Sequence, residues 1–327
     1  MRDICLVRAP SNLGLRPLEP GHVPGTWRAP QALSEAGLIE SLAPGRVVDL
    51  DRPAYSTEPQ PGTRLRNGPA IRRFNLDLAE IVTRALGQGE FPLIIGGDCS
   101  ILLGALVAAR RSGAVALIHF DGHSDFRHPG NYDVNASLGS VAGMDLALAT
   151  GRGEALLAQW PGVVGPLVAD EAVVQIGERE SRDADFAWPD INATAVTRID
   201  VFAAQELGAA GVLQKTRATL ARAGCPYWLH LDVDVLDQTV MPAVDSPGSP
   251  GIDPDELVAI LSALVADQRC TGLDMTIYDP DLDPTGDLAR LLVSLLGRVL
   301  SLDKGSARPC YRRHRHLADA GAAHHCA

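Results

Sequence analysis

Two short segments place acidic and imidazole side chains at alternate positions just after an apolar run. Asp121-Gly122-His123-Ser124-Asp125 follows residues 115–120, and Asp232-Val233-Asp234 follows residues 227–231. In extended backbone, alternate residues point to the same side, so one segment offers three ligand-type groups to a common point and the other offers two. Four carboxylates and one imidazole make a hard, mostly oxygen donor set that suits Mn²⁺ or Mg²⁺ better than a thiolate-seeking ion. One catalytic Zn²⁺ usually takes about three protein ligands, so five donors favour two ions sharing bridging carboxylates. The competing reading makes these aspartates strand-end caps or ion-pair partners. Acids crowded at buried strand ends without a cation would be costly, which counts against it.

The elements that must position these groups alternate along the chain. Short apolar, β-branched runs predict strands at residues 4–7, 47–50, 93–95, 115–120, 173–176, 195–199, 228–233 and 272–277. Helical periodicity predicts helices at 29–41, 70–87, 100–111, 141–150, 203–223, 254–266 and 287–300. Such alternation implies an α/β fold with a mainly parallel sheet of about eight strands covered on both faces. In open parallel sheets the ligand crevice lies beyond the carboxyl ends of the strands, where both acidic segments fall. The Pro/Gly-rich stretches at 16–30, 52–69 and 242–254 read as loops over one core, so a single domain is expected over 1–302. Residues 303–327 lack either periodicity and are expected to form a mobile basic, histidine-containing tail.

Composition narrows the function classes. The chain has 327 residues, 46% of them apolar, and a formal charge of −11; the segment 301–327 carries +3 and the remainder −14. That balance argues against a nucleic-acid surface. No apolar stretch approaches the roughly 18 residues that span a bilayer, and the N-terminus runs into a strand-like segment without a signal-peptide core. Cysteines 5, 99, 225, 270, 310 and 326 include no CxxC pair, so a reducing, cytoplasmic compartment is the simplest expectation.

Gly96-Gly97-Asp98-Cys99-Ser100, then Asp121-Gly122-His123-Ser124-Asp125, then Asp232-Val233-Asp234-Val235-Leu236-Asp237 resemble, in content and order, the arginase and agmatinase family of ureohydrolases. The likeness in layout runs from the first strand to near residue 300. It implies a three-layer α/β/α fold, a two-manganese centre, hydrolysis of a guanidino or amidino group, and a homo-oligomer. Carried over residue by residue, it makes Asp121 and Asp232 bridging carboxylates. His123 and Asp234 then complete one metal site, and Asp125 and Cys99 face the other. Cys99 stands where the family usually has histidine. A thiolate is a softer donor, so two Mn²⁺ per chain are expected, with one as the alternative if Cys99 does not coordinate. A gap-free reading puts Leu138 where arginase has a proton-shuttling histidine, and Ile277 where the family has a guanidinium-binding glutamate.

Neighbouring residues are candidates for the missing roles. Arg127 offers a bidentate clamp for a substrate carboxylate, and His128 a proton shuttle with its ordinary pKa near working pH. Asp279, with Asp281 and Asp283, offers a counter-charge for a guanidinium; the same acids serve equally well as a solvated loop capping the helix from residue 287. His119 and His230 lie two residues before Asp121 and Asp232 on the same side of their strands, as core or supporting histidines. Asp98 is read as orienting neighbouring ligands or the helix beginning near Ser100. The expected activity is metal-dependent hydrolysis of a linear C–N bond in a small guanidino or amidino compound, with a bridging hydroxide as nucleophile and Asp125 relaying its proton. An N-hydroxyguanidine or amidine would suit the missing glutamate, and the cysteine is shared with relatives that act on N-hydroxy-arginine. The alternatives are a one-metal amide hydrolase on the same fold and a catalytically degenerate ureohydrolase that only binds.

Overall fold

Eight apolar runs become eight strands of one parallel sheet: β1 Ile4–Ala9, β2 Arg46–Asp49, β3 Phe91–Gly96, β4 Ala116–Phe120, β5 Val173–Ile176, β6 Thr197–Ile199, β7 Tyr227–Asp232 and β8 Cys270–Thr276. The computed structural model describes residues 2–300 apart from Pro20. The expected tail at 303–327 lies outside the described residues. Strand order is β2-β1-β3-β8-β7-β4-β5-β6. The central strands are buried along their whole length, as a sheet covered on both faces requires.

The helices are α1 Ala29–Glu35, α2 Leu38–Leu42, α3 Gly68–Gly87, α4 Leu102–Arg111, α5 Asp145–Ala149, α6 Ala155–Ala158, α7 Val201–Ala223, α8 Pro254–Val265 and α9 Asp287–Leu300. Connections that move one way along the sheet carry α3 to α6, and those that move the other way carry α1, α2, α7 and α8. Right-handed crossovers therefore place the two groups on opposite faces. The packing agrees: α3, α4, α5 and α6 touch one another, while α7, α8, α9, α1 and α2 form the second set. This is the three-layer α/β/α arrangement expected from the sequence.

Two helix predictions change in detail. The helix expected at 29–41 is split because Gly37 adopts φ 95°, a left-handed C-terminal stop. The helix expected at 141–150 begins as a 3₁₀ turn, Val141–Met144, and becomes α-helical only at Asp145. That register places a carboxylate at the start of an otherwise apolar segment. The short α6 had no counterpart in the sequence reading.

Candidate metal centre

Strand register builds the floor of the site in two rows on one face of the sheet. In the lower row, His119 of β4 pairs with His230 of β7, and His230 pairs with Asp274 of β8. The two imidazoles stack with centroids 4.7 Å apart, the spacing of adjacent strands. One pleat further toward the carboxyl ends come Asp121, immediately after β4, and Asp232, paired with Thr276.

Beyond the strands the chain leaves the extended form, contrary to the alternation argument made from sequence. Asp232 Oδ1 accepts the N–H of Asp234 at 2.8 Å and closes the 3₁₀ turn Val233–Val235. Asp125 sits at φ 46°, a left-handed conformation that aspartate tolerates. Asp234 and Asp125 thus reach the site through turns. Asp234 Oδ1 accepts the N–H of Gly122 at 2.8 Å, and its Oδ2 lies 2.7 Å from His123 Nδ1. Asp121 Oδ1 accepts the N–H of His123 at 2.6 Å and stands 3.6 Å from His123 Nδ1. Arg179 donates to the main-chain oxygen of Asp234 and, through its own N–H, to Gly122 O at 3.0 Å. A Cβ on Gly122 would fall 2.1 Å from that guanidinium, so a larger residue there would require Arg179 to shift.

Cys99 enters from the turn Cys99–Ile101 ahead of α4. Asp98 caps this turn, accepting from Ser100 N at 3.0 Å and from the Ser11 hydroxyl at 2.7 Å. Gly97 allows the approach, since a Cβ there would lie 1.5 Å from Ser11 O. The Cys99 thiol donates to Asp232 Oδ2 at 3.0 Å and lies 3.3 Å from Thr276 Oγ1. Donor atoms of Asp121, His123 and Asp234 lie within 4.8 Å of one another, and so do those of Cys99, Asp125 and Asp145.

The electrostatics of this cluster call for a cation. Burial, then repulsion by Asp121, Asp145 and Asp232, pushes Asp125 well above the ordinary carboxylate range; burial with Asp234 and Asp121 does the same to Asp232. Burial and Asp234 raise Asp121 as well. Burial works against charge on Asp234, but His123 and Arg179 outweigh it and hold the carboxyl low. Burial likewise opposes protonation of His123, yet Asp234 and Asp121 raise it to about 12. Burial and Asp232 push the Cys99 thiol well up. Asp121 Oδ2 is buried and has no hydrogen-bond partner. A crowd of buried oxygen donors with one unpartnered oxygen fits divalent ions.

Above this floor opens a cleft of about 270 Å³ lined by Cys99, His123, Asp125, Asp232, Asp234 and Ile277 and, further out, by Arg16, Arg127, Glu180, Trp188 and Asp245. Arg127 stacks on Tyr132 at 4.0 Å and donates to Ser137 Oγ at 2.9 Å, while its Nε has no partner. Ile277 holds φ 73°, unusual for a β-branched residue, and its N–H donates to Gly97 O at 2.6 Å.

Several candidates lie elsewhere. His128 does not line the cleft. Its Nδ1 accepts from Gly130 N at 3.1 Å and its Nε2 meets Asp190 Oδ2 at 2.7 Å, so one ring nitrogen is used within its own loop and the other ties that loop to the turn at Asp190. Asp279 is also outside the cleft; its carboxylate accepts from the N–H groups of Gly25 and Asp281, each at 2.9 Å. Asp283 caps α9 through Leu288 N and Ala289 N, both at 3.0 Å. Leu138 is half-buried and does not line the cleft.

Sequence reasoning missed Asp145, Arg16, Glu180 and Asp245. Asp145 carried a signal, being a lone acid in the apolar stretch 141–149, a placement that needs a buried partner. The other three come from separate loops and carried none.

The Arginase family profile matches residues 3–301. The chain belongs to the arginase family. Its members are ureohydrolases that act on C–N bonds of guanidino and amidino compounds and use a binuclear metal site, typically Mn²⁺. The chain is 30% identical to an arginase of Bacillus caldovelox over 306 residues, covering 91% of this chain and 98% of that protein. The solved structure of Bacillus caldovelox arginase superposes with a TM-score of 0.79 at 28% identity, covering 92% of this chain and 98% of that one. A proclavaminate amidino hydrolase from Streptomyces clavuligerus shares the fold, with a TM-score of 0.64 at 23% identity over 92% and 90% of the two chains. Among the described residues, no helix of this arginase-family enzyme is long and apolar enough to cross a membrane.

Proposed function

We propose that the enzyme hydrolyses the C–N bond of a carboxylate-bearing small molecule with a guanidino, N-hydroxyguanidino or amidino group, releasing urea or a urea analogue. Asp121, His123, Asp232 and Asp234, with Asp125 and Cys99, hold its divalent metal, Mn²⁺ by the oxygen-rich donor set. Bound metal would supply a water of lowered pKa and polarise the reacting group. The observation that carries this reading is the convergence of five of these residues, Cys99, His123, Asp125, Asp232 and Asp234, on the floor of a cleft that is also lined by two arginines and two further acids, with Asp121 buried beneath.

Each residue has a part in that chemistry. Arg127 is partly buried, and burial lowers its pKa. Its unpartnered Nε and stacked plane suit a bidentate clamp on the substrate carboxylate, and Arg16 adds positive charge. Ile277 supplies no counter-charge beside the reacting carbon. Glu180 and Asp245, both raised by burial, provide acidic groups in the cleft where Asp279 does not. A weakly basic group such as N-hydroxyguanidine needs less compensation than a guanidinium. Asp125 carries a proton from the attacking water to the leaving nitrogen at its carboxylate oxygen.

The test is release of urea or hydroxyurea by Mn²⁺-reconstituted protein across guanidino, N-hydroxyguanidino and amidino acids and their decarboxylated counterparts. Turnover restricted to the carboxylates and abolished by Asp125→Asn is expected. No turnover on any member, with metal bound, overturns the reading.

A further inference from the structure

Beneath the row that carries Asp121 and Asp232 lies a sealed cluster that the proposed reaction does not use. His119, Asp145, His230 and Asp274 are all fully buried. Asp145 Oδ1 is 3.3 Å from His119 Nε2, and its Oδ2 is 3.6 Å from His230 Nε2. Asp121 turns one oxygen toward His123, and its other, Oδ2, stands 3.8 Å from His119 Nε2. Asp145 Oδ2, Asp121 Oδ2 and His230 Nε2 have no hydrogen-bond partner.

The orientation of His230 sharpens the point. Asp274 Oδ2 lies 2.5 Å from His230 Nδ1, and Asp274 Oδ1 accepts from Trp228 Nε1 at 2.6 Å. Asp274 thereby fixes the ring through Nδ1 and turns Nε2 toward Asp145 and Asp121, the usual support of a metal-binding histidine. At 3.6 Å from Asp145 Oδ2, that nitrogen is beyond hydrogen-bond distance of any partner. Two donors held about 2.1 Å from one ion at the tetrahedral angle stand about 3.4 Å apart. The separations of 3.3, 3.6 and 3.8 Å therefore need a contraction of at most a few tenths of an ångström. Donor atoms of His119, Asp145 and His230 all lie within 4.8 Å of one another, as do those of Cys99, Asp121 and His230.

We infer that His119, Asp145 and His230, together with Asp121 Oδ2, form an inner metal site one pleat below the cleft floor, which takes a borderline divalent ion such as Zn²⁺, Co²⁺ or Ni²⁺. Two imidazoles in a set of four shift preference away from Mn²⁺ toward those ions. Asp121 bridges this site to the outer set of His123 and Asp234, and Cys99 and Asp125 stand at the boundary between them. The inner site shares Asp121 with the outer set but does not require that set to be filled. Asp274 acts as a positioning residue through His230.

The experiment is elemental analysis and X-ray absorption on the full chain reconstituted with Zn²⁺, for wild type, His119→Gln, His230→Gln, Asp274→Asn and His123→Gln. Each variant's fold is checked by circular dichroism in chelator. Two ions per chain with three imidazole ligands in total are expected. His119→Gln and His230→Gln should each lose the inner ion, and Asp274→Asn should weaken it by about 10–100-fold. His123→Gln should keep it. If bound Zn²⁺ shows a single imidazole and the His119 and His230 variants keep wild-type stoichiometry, the site is overturned and the pair is a protonated ion pair with Asp145. One ion lost in His230→Gln but kept in His123→Gln supports the inner site while refuting the outer ligand set proposed above; the reverse pattern refutes only the inner site. The wild-type imidazole count decides the question even if a variant fails to fold.

Discussion

Replacing Asp232 by asparagine should stabilise the metal-free protein and destabilise the metal-loaded one. Asp232 accepts from the Cys99 thiol at Oδ2 and from Asp234 N at Oδ1; an asparagine with its oxygen in the Oδ1 place keeps the bond from Asp234 N and turns its amide N–H toward the Cys99 sulfur. Its charge, by contrast, is opposed by burial and by Asp234 and Asp121. Burying a group whose charge is opposed by two neighbouring carboxylates costs about 1–3 kcal/mol or more. Allowing for the polar amide left behind, removal of the acid should return about 1–3 kcal/mol. That amounts to roughly 2–6 °C in Tm for a chain of this size. In saturating metal the order reverses, because each site filled at a hundredfold over Kd adds about 2.7 kcal/mol, and the variant lacks a ligand. The sign with pH follows from the raised folded-state values of Asp125 and Asp232. Above about pH 4, the ordinary carboxylate value, these two groups bind more protons in the folded state than in the unfolded one, so metal-free stability falls as pH rises. The slope should be shallower in the variant. Thermal melts in chelator and in Mn²⁺ from pH 5 to 8 provide the assay. An Asp232→Asn protein that melts lower than wild type in chelator, with a parallel pH slope, would refute the electrostatic argument.

Arg127→Ala should raise KM for carboxylate-bearing substrates by about 10–100-fold, the range of a charge-assisted hydrogen bond, with kcat little changed. Steady-state kinetics with a decarboxylated analogue, whose KM should not move, checks it. His128→Gln should leave kcat within a few-fold and cost about 1 kcal/mol of stability, since the ring nitrogens of His128 are taken by Gly130 N and Asp190; a large kcat loss at unchanged Tm would restore its candidacy as a shuttle. Gly97→Ala should cost more than about 3 kcal/mol, because the new Cβ would meet backbone at Ser11 O. Soluble yield and Tm measure this, and a near-native melt would show that the two loops can part.

The sequence by itself determined the periodicity of this protein and its richest chemistry. Apolar runs of strand length alternating with amphipathic helices admit little besides a parallel sheet covered on both faces, so all eight strands and the layer order were legible. Asp121, His123, Asp232 and Asp234 were legible because they follow two of those runs directly. The route by which they meet was not. Asp125 and Asp234 arrive through a left-handed residue and a 3₁₀ turn, local conformations that compete closely with the extended chain and are settled by their hydrogen bonds. Adjacency across strands was also beyond reach, since β4 and β7 are neighbours only after the intervening crossovers are folded. The stacked His119 and His230, and Asp145 brought over them by α5, are products of that register. The same holds for the cleft, where Arg16, Glu180 and Asp245 come from three loops. Tertiary packing also turned His128 and Asp279 aside, because nearby backbone N–H groups and Asp190 claim their polar atoms. A residue's type limits what it can do, but its partners are chosen by parts of the chain far from it in sequence.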